Sequence, residues 1–174
     1  MASNFKKIIS LLFHLGTYRF LAKLIIFYDD INFSEIKKIK MGKNSSIAPT
    51  VSIRCGENII IGENTHVNHL CDLVAGDKAK IIIGDNVLFA PKVYVSSGLH
   101  SFKKGELIRE QRILEGEIII GNDVWIGVNA VILMGAVLED GCIIGANTVV
   151  RKNFRVPKNI VAVGCPAKII KKRV

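Results

Sequence analysis

The sequence predicts a mainly β protein: a parallel β-helix of six-residue repeats, with a short helical segment before it and one long loop inserted into it. Three observations carry this reading. Aliphatic residues recur at every sixth position through the second half of the chain. Gly, Asn and Asp follow those anchors at short, fixed offsets. The rhythm is absent from residues 1–40 and breaks off once, over 96–119, before resuming.

The N-terminal segment reads differently from the rest. Residues 5–28 are rich in Phe, Ile and Leu, broken by Lys6, Lys7, His14, Arg19 and Lys23. A charged start and an apolar stretch over 8–18 mimic a signal peptide, but no small-x-small cleavage site follows clearly. Residues 1–40 are therefore assigned as a helical cap on the first coil. A basic amphipathic helix making peripheral membrane contact through residues 5–28 is the alternative. No uncharged run reaches 18 residues, so no transmembrane helix is expected.

Residues 41–174 form the repeat domain. Its early coils are irregular. Ile47 and Ile53 open it, Ile61-Gly-Glu-Asn leads to Val67 and Leu73, and, after a stretch four residues too long, Ile83-Gly-Asp-Asn leads to Phe89 and Val95. From Ile120 the spacing is strict, through Ile126, Ile132, Leu138, Ile144, Val150, Val156 and Ala162. A helix would need apolar spacings of three and four, and an ordinary antiparallel strand a longer alternation. Period six means a short strand, a corner, then another short strand. Such a unit cannot bury its own apolar side, so the units stack as a solenoid with the anchors inside. Gly121, Gly127 and Gly145, with Asn122, Asp123, Asn129 and Asn147, belong at corners, since Gly and Asn tolerate positive φ at low cost.

Composition narrows the function. At 174 residues with 49% hydrophobic content, the chain is one domain able to bury a core. Cys55, Cys71, Cys142 and Cys165 show no C-x-x-C spacing, which excludes a zinc ribbon and favours reduced thiols. The net charge of +9 is uneven: +4 over 1–40, −3 over 41–150 and +8 over 151–174. A basic tail with few aromatics behind an acidic middle suits one anionic ligand better than a nucleic acid. The 96–119 loop, with Ser96, Ser97, His100, Phe102, Arg109 and Glu110, is the first place to look for chemistry.

Ile83-Gly-Asp-Asn-Val-Leu-Phe-Ala-Pro, then His100 ten residues beyond Ala90, then Val124-Trp-Ile-Gly, then Gly164-Cys-Pro-Ala-Lys follow one another in order. In these segments the chain resembles the hexapeptide-repeat acyltransferases, in particular the maltose/galactoside and polysaccharide O-acetyltransferase branch, over about residues 45–171. The resemblance implies a left-handed β-helix with three hexapeptides per coil, a homotrimer, and acetyl-CoA as the donor. It implies transfer to a sugar or glycan hydroxyl in surface-polysaccharide biosynthesis, in the cytoplasm where the donor resides.

The resemblance also assigns roles. His100 occupies the position of the catalytic base, and an imidazole, with an ordinary pKa of about 6.5, suits that task. Asn68 matches an acceptor-contacting Asn, with His69 beside it. Trp125 falls next to the pantetheine end of CoA, and the backbone N–H groups of Gly127 and Val128 where an oxyanion donor lies. Ala146, Arg151 and Lys152 match the CoA tunnel, and Lys168 and Lys171 the groups that meet the nucleotide phosphates. Lys supplies a point charge there without Arg's fork. Glu115, Glu117 or a backbone carbonyl would orient His100.

Two other readings stay open. One is N-acetylation of a nucleotide-linked amino sugar. The other is a gamma-carbonic-anhydrase-like metal site built on His66, His69 and His100. A catalytic metal needs three convergent ligands, and the paired His-x-x-x-x-His spacing of that family is missing, so no metal is expected.

Overall fold

The computed structural model describes Lys7, Ser10 and residues 14–174. The start of the apolar N-terminal stretch, Lys6 included, lies outside the described residues. Helix α1 (Leu15–Tyr28) begins at His14, whose Nδ1 accepts the Gly16 N–H at 3.2 Å. No residue of α1 is buried: Leu15, Phe20, Leu21, Leu24, Ile25, Ile26 and Phe27 are 40–69% exposed. The close fit to the first coil comes from the residues after it, a π-helical turn (Asp29–Phe33) and one α-turn (Ser34–Ile36). Asn32 is buried and its amide donates to the Val51 carbonyl at 2.6 Å.

Glu35 is the latch of this cap. It accepts the Gly56 N–H at 2.7 Å and pairs with Lys38 at 2.6 Å. Partial burial pushes its carboxyl up, but the Gly56 N–H and the Lys38 ammonium outweigh that and hold it below its ordinary value. A depressed carboxylate stabilises the fold above its unfolded pKa and loses that contribution as pH falls through its folded one. Glu35→Gln should therefore lower the melting temperature at pH 7, and the gap from wild type should close towards pH 3. A gap that stays constant across that range would show that the latch is not ionic.

Beyond the cap, three parallel sheets wrap one core. Sheet A holds β1 (Lys40–Met41), β4 (Ile59–Ile61), β7 (Ile81–Ile83), β12 (Ile118–Ile120), β15 (Val137–Leu138) and β18 (Arg155–Val156). Sheet B holds β2 (Ser46–Ile47), β5 (His66–Val67), β8 (Leu88–Phe89), β13 (Trp125–Ile126), β16 (Ile143–Ile144) and β19 (Ile160–Val163), closed by β20 (Lys168–Lys172). Sheet C holds β3 (Ser52–Arg54), β6 (Asp72–Val74), β9 (Tyr94–Ser96), β14 (Val131–Leu133) and β17 (Val149–Val150). β20 runs antiparallel to β19 and covers an edge that would otherwise be open to pairing.

The six-residue anchors are the inward column of each sheet. Ile61, Ile83, Ile120, Leu138 and Val156 stack in sheet A. Val67, Phe89, Ile126, Ile144 and Ala162 stack in sheet B, and Leu73, Val95, Ile132 and Val150 in sheet C. All are buried. The backbone groups at the corners bond to the next coil, as in Gly84 N–H to Ile120 O at 2.8 Å and Gly121 N–H to Leu138 O at 2.7 Å. Burial without such partners would cost more than the apolar contacts return.

The corner glycines are needed for a reason other than the one expected. Positive φ is taken by Asn64, Asn86, Asp123, Asn129 and Asn147, whereas Gly121, Gly127 and Gly145 have none. Those glycines are small because the next coil is close: a Cβ on Gly127 would sit 2.6 Å from Ala146 N, and one on Gly121 2.8 Å from Asp140 N.

The inserted segment is more ordered than a loop. Ser96 and residues 118–119 belong to solenoid strands, and between them β10 (Gly98–His100) and β11 (Ile113–Glu115) form an antiparallel hairpin. Gln111 is buried and ties its tip together, accepting the Lys103 N–H and donating to the Lys103 and Glu106 carbonyls.

Candidate active site

Every departure from the six-residue period falls at one edge of the solenoid, where sheet C passes to sheet A. In the regular coils the step between inward anchors there is six residues, as from Ile132 to Leu138. It is eight from Ile53 to Ile61, ten from Leu73 to Ile83 and 25 from Val95 to Ile120. Stacked on one another, these three excesses build a cleft of about 340 Å³. Arg54 comes from the first, Gly76 and Asp77 from the second, and Gly98, Leu99, His100 and Glu115 from the third, with Tyr94 and Ser96 of β9 completing the wall.

Glu115 joins the second excess to the third. Its two oxygens accept the Asp77 N–H at 3.1 Å and the Lys78 N–H at 2.8 Å. Gly76 leaves room for this clasp, because a Cβ there would meet the Glu115 carboxylate carbon at 2.7 Å and push it aside. Glu115 therefore anchors the hairpin, and it makes no hydrogen bond to His100. Glu117 lies in an adjoining depression with Lys78 and Gly116. The His100 imidazole is exposed at the cleft and has no hydrogen-bond partner among the described residues.

Asn68 and His69 lie elsewhere. They border a separate depression of about 390 Å³ with Ser46, Ala48 and His66, at the edge where sheet B passes to sheet C. Asn68 Oδ1 accepts the His69 N–H at 2.7 Å, His69 Nδ1 meets Thr50 Oγ1 at 3.1 Å, and His66 Nδ1 meets Ser46 Oγ at 2.9 Å. Among the described residues no three His, Cys, Asp or Glu side chains are grouped to hold a metal ion.

The same edge carries part of the set assigned to CoA, with Gly127, Val128 and Ala146 at its corners and Trp125 on the strand before them. Trp125 stands outward on sheet B, 53% exposed, in a row with His66, Leu88 and Ile143. One assignment needs correcting. The Gly127 N–H already donates to the Ile144 carbonyl at 2.7 Å, as the coil ladder requires, and cannot also meet a ligand. The Val128 and Ala146 N–H groups have no acceptor among the described residues and are left available to a ligand. Leu70, with φ +59°, and Lys92, with φ +62°, hold left-handed corners beside Asn68, where most corners use Asn. Such strain in a bulky residue costs about 1–2 kcal/mol, a signal the sequence did not display.

The basic tail divides into paired and unpaired groups. Arg155 pairs with Glu139, Lys158 with Asp140 at 3.5 Å, and Arg173 with Asp123 at 2.7 Å. Arg173 thus pins the tail rather than being merely solvated. Arg151, Lys152, Lys168, Lys171 and Lys172 have no carboxylate partner among the described residues. Arg151 lies 6.0 Å from the Phe154 ring at the sheet C-to-A edge, and Lys168 and Lys171 lie on β20 in sheet B. Five unpaired cations around the last coil suit a polyanion. Three of the four cysteines are poor nucleophiles: burial raises the Cys55 and Cys71 thiols and pushes Cys142 up to about 12.

The fold and these segments have known counterparts. Residues 117–152 match the bacterial transferase hexapeptide (six repeats) model. Galactoside O-acetyltransferase of Escherichia coli (strain K12) is 38% identical over 131 residues, 75% of this chain and 62% of that one. The chain spans about three fifths of the length of the curated relatives it matches. A galactoside acetyltransferase solved in complex with coenzyme A superposes with a TM-score of 0.69 at 37% identity, over 76% of this chain and 64% of that one. A maltose O-acetyltransferase from Clostridium difficile 630 superposes with a TM-score of 0.73 at 30% identity, over 90% of this chain and 86% of that one. With its repeats matched by that model and 86% of a maltose O-acetyltransferase covered at 30% identity, this chain belongs to the hexapeptide-repeat acyltransferase family.

Proposed function

We propose that the protein transfers an acetyl group from acetyl-CoA to a sugar hydroxyl, in the cytoplasm and in the service of surface-polysaccharide biosynthesis. The observation that carries this is the unpartnered His100 imidazole, set on a hairpin that interrupts an otherwise regular solenoid and faces a cleft of its own. His100 takes the proton of the acceptor hydroxyl as the new C–O bond forms. The Val128 N–H donates to the oxyanion that develops on the acetyl carbonyl; one such donor is worth about 2.7–4 kcal/mol in measured cases. When the C–S bond breaks, His100 returns its proton to the departing thiolate. Residues Trp125, Ala146, Arg151, Lys152, Lys168 and Lys171 would hold the donor. No cysteine intermediate is needed.

The placement of these groups supports a homotrimer. His100, Arg151 and Lys152 lie on one edge of the chain, and Asn68, Trp125, Val128 and Ala146 on or beside another, with sheet C between them. They form one site when the first edge of one copy faces the second edge of the next. Light scattering should then report about three times the 19.2 kDa chain. Mixing His100→Ala chains with Lys168→Ala/Lys171→Ala chains, then dissociating and reassembling them, should restore part of the activity both lack. An active monomer, or no rescue, would rule out a shared site.

The exposed apolar helix α1, with Arg19 and Lys23 and no acidic residue, supports a peripheral seat on the inner face of the membrane. Among the described residues no helix is long and apolar enough to cross one. The direct test of the reading is release of free CoA from acetyl-CoA by the pure protein, assayed against neutral sugars, acidic sugars and cell-surface glycans. No acceptor-dependent release across the panel would overturn it.

A further inference from the structure

Arg54 is the residue in the His100 cleft that acetyl transfer to a neutral sugar leaves unexplained. It ends β3 with its side chain outward, since Ile53 before it is buried in the core. In sheet C it stands in register with Val74, and Val74 with Ser96, the last strand residue before the His100 hairpin. Two strand spacings of about 4.8 Å place its backbone about 10 Å along that column from Ser96. The extended guanidinium therefore shares the 340 Å³ cleft with the imidazole.

None of the nearby carboxylates forms an ion pair with it. Both Glu115 oxygens are held by backbone N–H groups. Asp77 accepts the Cys55 thiol at 3.6 Å. Across the adjoining depression Glu35 and Glu57 are both paired with Lys38. Asp30 and Asp77 remain, and neither forms an ion pair with Arg54. The donor does not explain Arg54 either, because the unpaired cations suited to CoA gather around the last coil while Arg54 is in the first. A planar fork of five donors, left without a partner beside a base, matches a carboxylate or phosphate in bidentate geometry.

We infer that the acceptor is an anionic sugar, a carboxylate- or phosphate-bearing unit whose charge is held by Arg54 while a hydroxyl of the same molecule meets His100. Tyr94, 38% exposed between them on the same wall, gives the sugar ring an apolar surface. This rests on the acetyltransferase reading and names its substrate class.

The experiment compares methyl glucuronide with methyl glucoside, and glucose 1-phosphate with glucose, as acceptors for the wild-type protein and for Arg54→Gln and Arg54→Lys. Wild type should favour the charged member of at least one pair by tenfold or more in kcat/KM. Arg54→Gln should cut that preference at least tenfold, chiefly through KM, and Arg54→Lys should recover part of it. The rise in melting temperature with acetyl-CoA should persist in both variants. Preference for the uronide identifies a carboxylate, and preference for the sugar phosphate a phosphate.

Calorimetric binding of the same four compounds reads Arg54 without turnover: the charged probe should bind wild type and lose at least tenfold in affinity with Arg54→Gln. Equal kcat/KM for charged and neutral probes, or equal affinity for wild type and Arg54→Gln, overturns the assignment of Arg54. Arg54-dependent binding of the charged probe, with no acetylation of any probe or glycan, would instead overturn the acetyltransferase reading.

Discussion

His100→Ala is expected to lower acetyl transfer by about 10²–10⁴-fold, the usual worth of a general base. The loss should appear in kcat and kcat/KM together, as for a group that acts mainly in the transition state. The fold should be indifferent to the change. The side chain is exposed and outside the core, and the hairpin pairing of His100 with Ile113 is made by backbone groups that Ala also possesses. CoA affinity should likewise hold, because the unpaired cations and the free Val128 and Ala146 N–H groups are elsewhere. His100→Asn should do little better than Ala, since an amide can bond the hydroxyl but cannot take its proton. Steady-state kinetics with the acceptor identified above is the measurement. More than about a third of wild-type turnover in a folded His100→Ala trimer would end the assignment. His69 is a poor replacement, being bonded to Thr50 at the other edge.

The largest stability effect is expected within the inward columns. Ile126→Ala should cost about 2–5 kcal/mol, the transfer term of the removed carbons plus the cavity they leave. Ile126 is fully buried between Phe89 and Ile144, and neither can close the gap. Each is fixed at the spacing that coil-to-coil hydrogen bonds impose, so the column cannot contract locally. The position is also central. In a stacked array each coil is stabilised by its neighbours, so a defect in mid-column weakens the coupling between the coils on either side. Urea unfolding at one fixed protomer concentration is the measurement, because assembly adds to apparent stability. A change below 1 kcal/mol would mean that the solenoid relaxes more freely than close packing allows.

Much of this protein was legible in its residues, for a definite reason. A solenoid repeats one local solution, so the pattern that buries Ile120 also buries Ile126, Ile132, Leu138 and the rest, and period six is visible without any long-range contact. Position 100 also stood out, because a His inside a break in that period has no core position to fill, and the structure leaves it exposed at the cleft. The backbone was harder to read. Gly and Asn at the corners look equivalent on paper, yet Asn129 takes the positive φ while Gly127 is small to let Ala146 approach. Gly127 spends its N–H on the coil ladder, whereas the Val128 N–H stays unbonded among the described residues.

What the sequence by itself determined is the solenoid and its core columns, since both follow from residue type and spacing along the chain. What only the tertiary structure decided is which residues share a surface. Stacking aligned three separate excesses, around Arg54, Asp77 and His100, into one cleft and turned Glu115 into its clasp. It also moved Asn68 to a different edge. Arg54 and Asn68 lie 46 and 32 positions before His100, so Arg54 is the farther of the two along the chain. The turn count of the coil nevertheless brings Arg54 to the cleft of His100 and carries Asn68 away, because lateral position in a solenoid depends on where each corner falls and not on distance along the chain.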